Sequence, residues 1–173
     1  GVVVERVVFA WHAGLSAAQK RRNVDALHAA FQERFPGTAR PLEISCQSSS
    51  AEGAALSAFR LGVRSNKAGG FVSVESLYQA SKVFERAGPF PAFYTRSARD
   101  ARACAAAHGG DPLVAFELYG ERWPLNPPRA FYTWLYCHAL RRNAALAAVV
   151  GRHEAFTDIE FNPRRSVNCQ AFA

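Results

Sequence analysis

Residues 73–85 read SVESLYQASKVFE, and the folding of this stretch decides what the chain around it can be. Val74, Leu77, Tyr78, Ala80, Val83 and Phe84 recur so as to cover most of a helix, the pattern of a buried one. Glu75, Gln79 and Lys82 follow at i, i+4 and i+7 and fall within about 60° of arc on the same wheel. A buried helix cannot leave a charged stripe unpaired at low cost, so this one must face water, a partner or a cavity. Two readings follow. One is a salt bridge relayed through Gln79 on an exposed face. The other is a pocket in which Glu75 and Lys82 shift each other's ionisation. There, a desolvated lysine amine becomes a nucleophile for a sugar C1 or its aldehyde form, and the carboxylate moves protons for it.

Upstream, Val2 to Trp11 is β-branched and apolar and predicts a buried strand. Ser16-Ala17-Ala18-Gln19 is a capping-box signature, and Val24, Leu27, His28, Phe31 and Phe35 follow at helical spacing up to Pro36-Gly37. Lys20, Arg21 and Arg22 in its first turns oppose the helix dipole, which either solvation or a nearby anion would offset. Pro41 to Cys46 predicts a short strand and LSAFRLGV an extended segment. The Gly-rich loop Ser65 to Gly70 has no phosphate-binding spacing.

Downstream, an Ala-rich helix is expected over about residues 97–108, ended by Gly109-Gly110, and a strand over Val114 to Trp123. Asn126-Pro127-Pro128 looks like a helix start with Asn126 as cap, leading into AFYTWLYCHAL, where Phe131, Trp134, Leu135 and His138 share a side. A further Ala-rich helix ends near Gly151. The last segment, AFTDIEFNP, alternates, so on a strand Asp158 and Glu160 would project from one face, roughly 6.5–7 Å apart. Such a pair could complete the pocket, since carboxylates beside an oxocarbenium-like centre are the usual means of glycosidic cleavage. Metal binding by the same two acids is the rival, but further ligand-spaced acids are missing.

With 173 residues, 49% hydrophobic and 20% charged, the chain has the size and composition of one globular domain. No apolar run approaches the ~20 residues of a membrane span, and Gly1-Val2-Val3-Val4 does not read as a signal peptide. Cys46, Cys104, Cys137 and Cys169 lack metal-ligand spacing and read as reduced core thiols of a cytoplasmic protein. The net charge of +7 gathers in Lys20-Arg21-Arg22, Arg99 with Arg102, Arg141-Arg142 and Arg164-Arg165, which suits a polyanionic partner as well as a solvated surface.

LSAF (56–59) followed by SVESLYQASKVFE resembles the motif pair of the NADAR family, a Ser-Asn-Phe-like element ahead of a Ser-x-Glu-x-x-x-Gln-x-x-Lys-Phe helix. The chain is more similar still to NADAR proteins that accompany DarT-type DNA ADP-ribosyltransferase toxins. That likeness rests on FAWHAGLSAAQKRRNVDALH (9–28), GPFPAFY (88–94), RAFYTWLYCHAL (129–140) and FTDIEFNPRRSVNCQA (156–171). Ala58 stands where the family commonly has Asn, and the Trp-Gly and Gly-x-Asn-x-x-Gly signatures are not matched near Asn168, which favours the toxin-associated branch.

The resemblance implies a single α+β domain over residues 1–173, mainly helical with a small sheet. It also implies an antitoxin enzyme of the cytoplasm that removes ADP-ribose from guanine bases of DNA without metal or cofactor. Its partners would be ADP-ribosylated DNA, ADP-ribose and a DarT-type toxin. By motif position Glu75 and Lys82 would be the catalytic pair, with Lys82 a candidate for a Schiff-base adduct and Gln79 orienting both. Ser57 and Phe59 would line the pocket, while Asp158, Glu160, Asn162 and Asn168 would hold ribose hydroxyls or assist proton transfer. Two alternatives stay open: an N-glycosidase acting on a phosphorylated riboflavin-pathway intermediate or other nucleotide metabolite, and a non-catalytic module that binds ADP-ribose, DNA or the toxin.

Overall fold

The computed structural model describes residues 2–66, 69–162, 164, 166 and 168–173; Gly1, the middle of the 65–70 loop and Arg165 of the Arg164–Arg165 pair lie outside them. Helices and small sheets alternate along the chain, an α+β fold that divides into two compact units.

The first unit comprises residues 1–57 and 143–172. Its long helix α1 (Ala17–Arg34) starts as the sequence predicts, with the Ser16 hydroxyl accepting from Gln19 N at 3.1 Å, and it buries Asn23, Val24 and His28. Strand β1 (Leu42–Glu43) pairs in parallel with β7 (Phe156–Thr157). Short helices α2 (Ala51–Ala55) and α6 (Ala144–Val150) are capped by Ser50 and Asn143.

Two expectations fail in this unit. Val2 to Trp11 forms no strand; Val3 is 78% and Val8 86% exposed, because β propensity without an adjoining edge makes no ladder. Instead the arm is pinned to α1 by Arg34, whose guanidinium donates to Arg6 O, and by Asn23, which exchanges two hydrogen bonds with the backbone of His12. The strand through AFTDIEFNP is also shorter than its alternation suggests. It ends at Thr157, and Asp158 then turns the chain by accepting from Glu160 N at 3.1 Å.

The second unit holds residues 58–142. Strands β2 (Gly62–Ser65) and β3 (Gly70–Ser73) form an antiparallel hairpin that pairs Gly62 with Ser73. A side chain at Gly62 would collide with Val72 O and Ser73 Cα, which explains the glycine. Helix α3 (Val74–Ala80) follows directly, capped by the Ser73 hydroxyl on Ser76 N. Strands β4 (Lys82–Phe84), β5 (Leu113–Leu118) and β6 (Glu121–Trp123) make an antiparallel sheet in that order. The expected continuous strand to Trp123 is thus a hairpin, folded at Tyr119 and Gly120, both at positive φ.

A 3-10 turn (Pro91–Thr95) and α4 (Ala98–Ala106) bury Phe93, Ala101 and Ala105 against Ala80 of α3. Helix α5 (Ala130–Arg141) starts later than the Asn126 cap would have it, after Arg129 at φ 73°. Pro128 keeps Pro127 out of the helical region, so no helix can begin there. The α5 residue Phe131, 2% exposed, is stacked on Phe116 at 4.7 Å, and Tyr78 of α3 lies 5.2 Å from Phe116. The cysteines are half-buried and outside any disulfide, rather than core residues. Among the described residues no helix is long and apolar enough to cross a membrane, and no cluster of three or more His, Cys, Asp or Glu could hold a metal ion.

Candidate active site

Glu75, Gln79 and Lys82 come together in the second unit, though not on one helix. Ser81 ends α3: its hydroxyl donates to Leu77 O at 2.7 Å, its carbonyl accepts from Glu117 N, and the chain passes into β4, where Lys82 pairs with Phe116. From the strand the lysine's charge still acts on Glu75, and its Nζ lies 5.3 Å from the centre of the Tyr78 ring. Cation and ring attract there, and the ring also strips water from the amine.

Glu75 is 7% and Gln79 5% exposed. Gln79 Nε2 donates to Glu75 Oε1 at 2.9 Å, and Gln79 Oε1 is a buried acceptor without a partner among the described residues. The salt bridge to Lys82 that helical spacing allows is absent; the cation against Glu75 is Arg102 of α4, at 3.9 Å. Burial pushes the Glu75 carboxyl up, with Gln79, Arg102 and Lys82 opposing. Burial also pushes the Lys82 amine down; the Glu75 charge opposes this and Arg102 adds to it. Acid and amine are therefore both driven toward their neutral forms, the states in which a carboxyl donates a proton and an amine attacks.

The first unit contains a different acidic cluster. Glu43, 1% exposed on β1, accepts from the Thr157 hydroxyl at 2.6 Å and from Ile159 N at 2.9 Å. Arg40 Nε donates to His28 Nδ1, so His28 must carry its proton on Nε2, which donates to Thr157 Oγ1 at 2.8 Å. Burial, then the Arg40 charge, lower the His28 pKa to about 4, keeping the ring neutral in this relay. Asp158, next in the chain after Thr157, feels this cluster through its charge: its pKa is raised to about 7 by burial and then by the Glu43 charge. Glu160 lies close enough for its charge to add to the rise at Asp158. It is exposed and ion-paired with Lys20 at 2.8 Å, and so supplies the anion that the basic first turn of α1 called for.

The family model of the DarT1-associated NADAR antitoxin matches residues 1–173. The chain belongs to this family. No curated protein matches it in sequence.

In this NADAR antitoxin the remaining motif positions are spread over both units. Ser57, in the first, is 1% exposed and its hydroxyl lies 3.3 Å from Cys46 Sγ; Phe59, in the second, is half-buried. Asn162 is exposed and accepts from Arg164 N, while Asn168 exchanges hydrogen bonds with Ser166, so both shape the terminal turns. Sequence reasoning missed Glu43, although a lone acid between Leu42 and Ile44 in an apolar run was a signal. It noted Arg102 only as part of the basic surface, and Tyr78 only as core.

Proposed function

We propose that this antitoxin is a DNA ADP-ribosyl glycohydrolase that cleaves the bond between ribose C1 and a guanine nitrogen, with Lys82 as nucleophile and Glu75 as proton donor. The observation that carries the reading is the pair itself: an amine lowered and a carboxyl raised by burial, the carboxyl held by Gln79 and the two not consumed in a mutual salt bridge.

Nζ attacks C1 with its lone pair. The C1–N bond breaks, its electrons go to the guanine nitrogen, and that nitrogen takes the Glu75 proton. The resulting carboxylate removes the extra proton from Nζ. The Nζ lone pair then opens the ribose ring to an iminium, with the ring oxygen taking that proton back. Water adds to C1 and the Glu75 carboxylate moves one of the water's protons to Nζ. The C1–Nζ bond then breaks, Nζ leaving as the free amine while the C1 hydroxyl gives its proton back to Glu75. ADP-ribose departs in its aldehyde form, and the net change is hydrolysis. Gln79 Oε1, the spare buried acceptor, takes a ribose hydroxyl. In the first unit, Asp158 is suited to donate a proton near neutral pH, and its contribution is separable by mutation.

The test is incubation with guanine-ADP-ribosylated DNA. Wild type is expected to release ADP-ribose, and Lys82→Ala and Glu75→Ala to lose release by 10²-fold or more, on the order of one catalytic group. Full release by both variants refutes the assignment. Release only from a free nucleotide would select the metabolite glycosidase, and binding without turnover the recognition module.

A further inference from the structure

Helix α5 has two faces. Phe131, Leu135 and Ala139 are buried in the core, whereas Trp134, Cys137, His138 and Arg141, at i, i+3, i+4 and i+7, line a cavity of about 320 Å³ with Arg142. We propose that this cavity holds one nucleotide of the DNA strand beyond the modified guanine, its base on the Trp134 and His138 rings and its phosphate between Arg141 and Arg142. The inference rests on DNA being the substrate and adds a strand-binding subsite to it.

Trp134 and His138 are stacked, 5.1 Å apart at 25°, and Trp123 braces the indole at 4.9 Å, so the aromatic plane is set before any ligand arrives. Burial and the two arginines hold the His138 pKa below its usual value, leaving a neutral ring in the stack and the positive charge on the guanidiniums. Both arginines are exposed, and among the described residues neither guanidinium makes an ion pair or a hydrogen bond. Among the described residues no Asp or Glu lines the cavity; the C-terminal residue comes to its edge, where Cys137 Sγ lies 3.4 Å from Ala173 O. Stacked rings beside two guanidiniums that have no ion pair among the described residues match a base with its phosphate; an acidic peptide would engage the charge and leave the rings unused.

The position suits a strand that continues from the reacting sugar. Phe131, one turn earlier on α5, lies 6.2 Å from Trp134 and 6.4 Å from Tyr78, the ring beneath Lys82.

The experiment is fluorescence anisotropy of the full chain with a labelled, unmodified thymidine oligonucleotide, which carries no guanine and cannot be a substrate. Trp134→Ala is expected to weaken binding roughly tenfold and Trp134→Phe to restore most of it. Arg141→Ala with Arg142→Ala, at exposed positions where folding is not at stake, is expected to flatten the log–log salt dependence by about 0.7 per arginine. Unchanged affinity in Trp134→Ala together with an unchanged salt slope overturns the proposal. So does competition by free AMP as effective as by the oligonucleotide, which would make the cavity a mononucleotide site. ADP-ribose release, measured in parallel, keeps the two claims apart: oligonucleotide binding lost in the variants with no release by wild type would leave the subsite standing and refute the glycohydrolase.

Discussion

Asp158→Asn should change how stability depends on pH, by an amount that follows from its surroundings. In the fold the Asp158 carboxyl titrates at about 7 against an ordinary 3.8, because burial and the nearby Glu43 charge favour the protonated form. A carboxyl raised in the native state binds more protons there than in the unfolded chain. Its contribution is therefore complete below about 3.8 and lost as pH rises through 7. Three pH units correspond to about 4 kcal/mol, and because Asp158 is only partly buried, solvent screening trims this to ~2–3 kcal/mol.

Asparagine cannot ionise, and its Oδ1 still accepts from Glu160 N. His28 works in the opposite sense: lowered to about 4 from 6.5, it costs stability as pH falls through that window. The two slopes oppose each other in wild type, and removing Asp158 should uncover the histidine's. Urea unfolding at intervals from pH 4 to 8.5 is the assay. The variant is expected to be the more stable protein at pH 8.5 by ~2–3 kcal/mol, with the advantage vanishing toward pH 4. A difference between variant and wild type that does not change with pH would refute the assigned environment of Asp158.

Other outcomes follow from the same geometry. Arg102→Ala removes a cation that lowers both Glu75 and Lys82, so both limbs of the pH–rate profile for ADP-ribose release should move to higher pH; limbs that stay put would deny Arg102 its place beside the pair. Gly62→Ala should destabilise the fold by roughly 1–3 kcal/mol, because the new methyl meets Val72 O and Ser73 Cα, which are backbone, whereas Gly110→Ala, with open space around it, should stay within about 0.5 kcal/mol in thermal unfolding. Glu43→Gln removes a charge that raises Asp158, and the Asp158 carboxyl resonance, followed by NMR, should titrate below its wild-type midpoint of about 7.

What was legible in the sequence was local. Ser16 with Gln19 and the spacing of Val24 and His28 define α1 without help from the rest of the chain. Glu75 and Gln79 are partners one turn apart, so a helical wheel finds them. It misplaces Lys82 onto their helix because the helix end depends on Ser81 bonding back to Leu77 and on a ladder with β5, which lies well downstream. Val2 to Trp11 has the composition of a strand, but whether an edge adjoins it is decided elsewhere in the chain. Asp158 and Glu160 alternate as a strand would, yet β7 stops at Thr157, where the Ile159 amide and Thr157 hydroxyl turn to a Glu43 carboxylate more than 110 residues away. The ionisation of Asp158 depends on that carboxylate, and no local pattern shows it.

The central claim is that Lys82 bonds to the ribose rather than steadying Glu75. Borohydride added during turnover of guanine-ADP-ribosylated DNA, followed by proteolysis and mass analysis, tests it directly. A reduced ADP-ribose adduct on the peptide carrying Lys82, absent from Lys82→Ala, is the predicted result; brisk ADP-ribose release with no adduct on that peptide would contradict it.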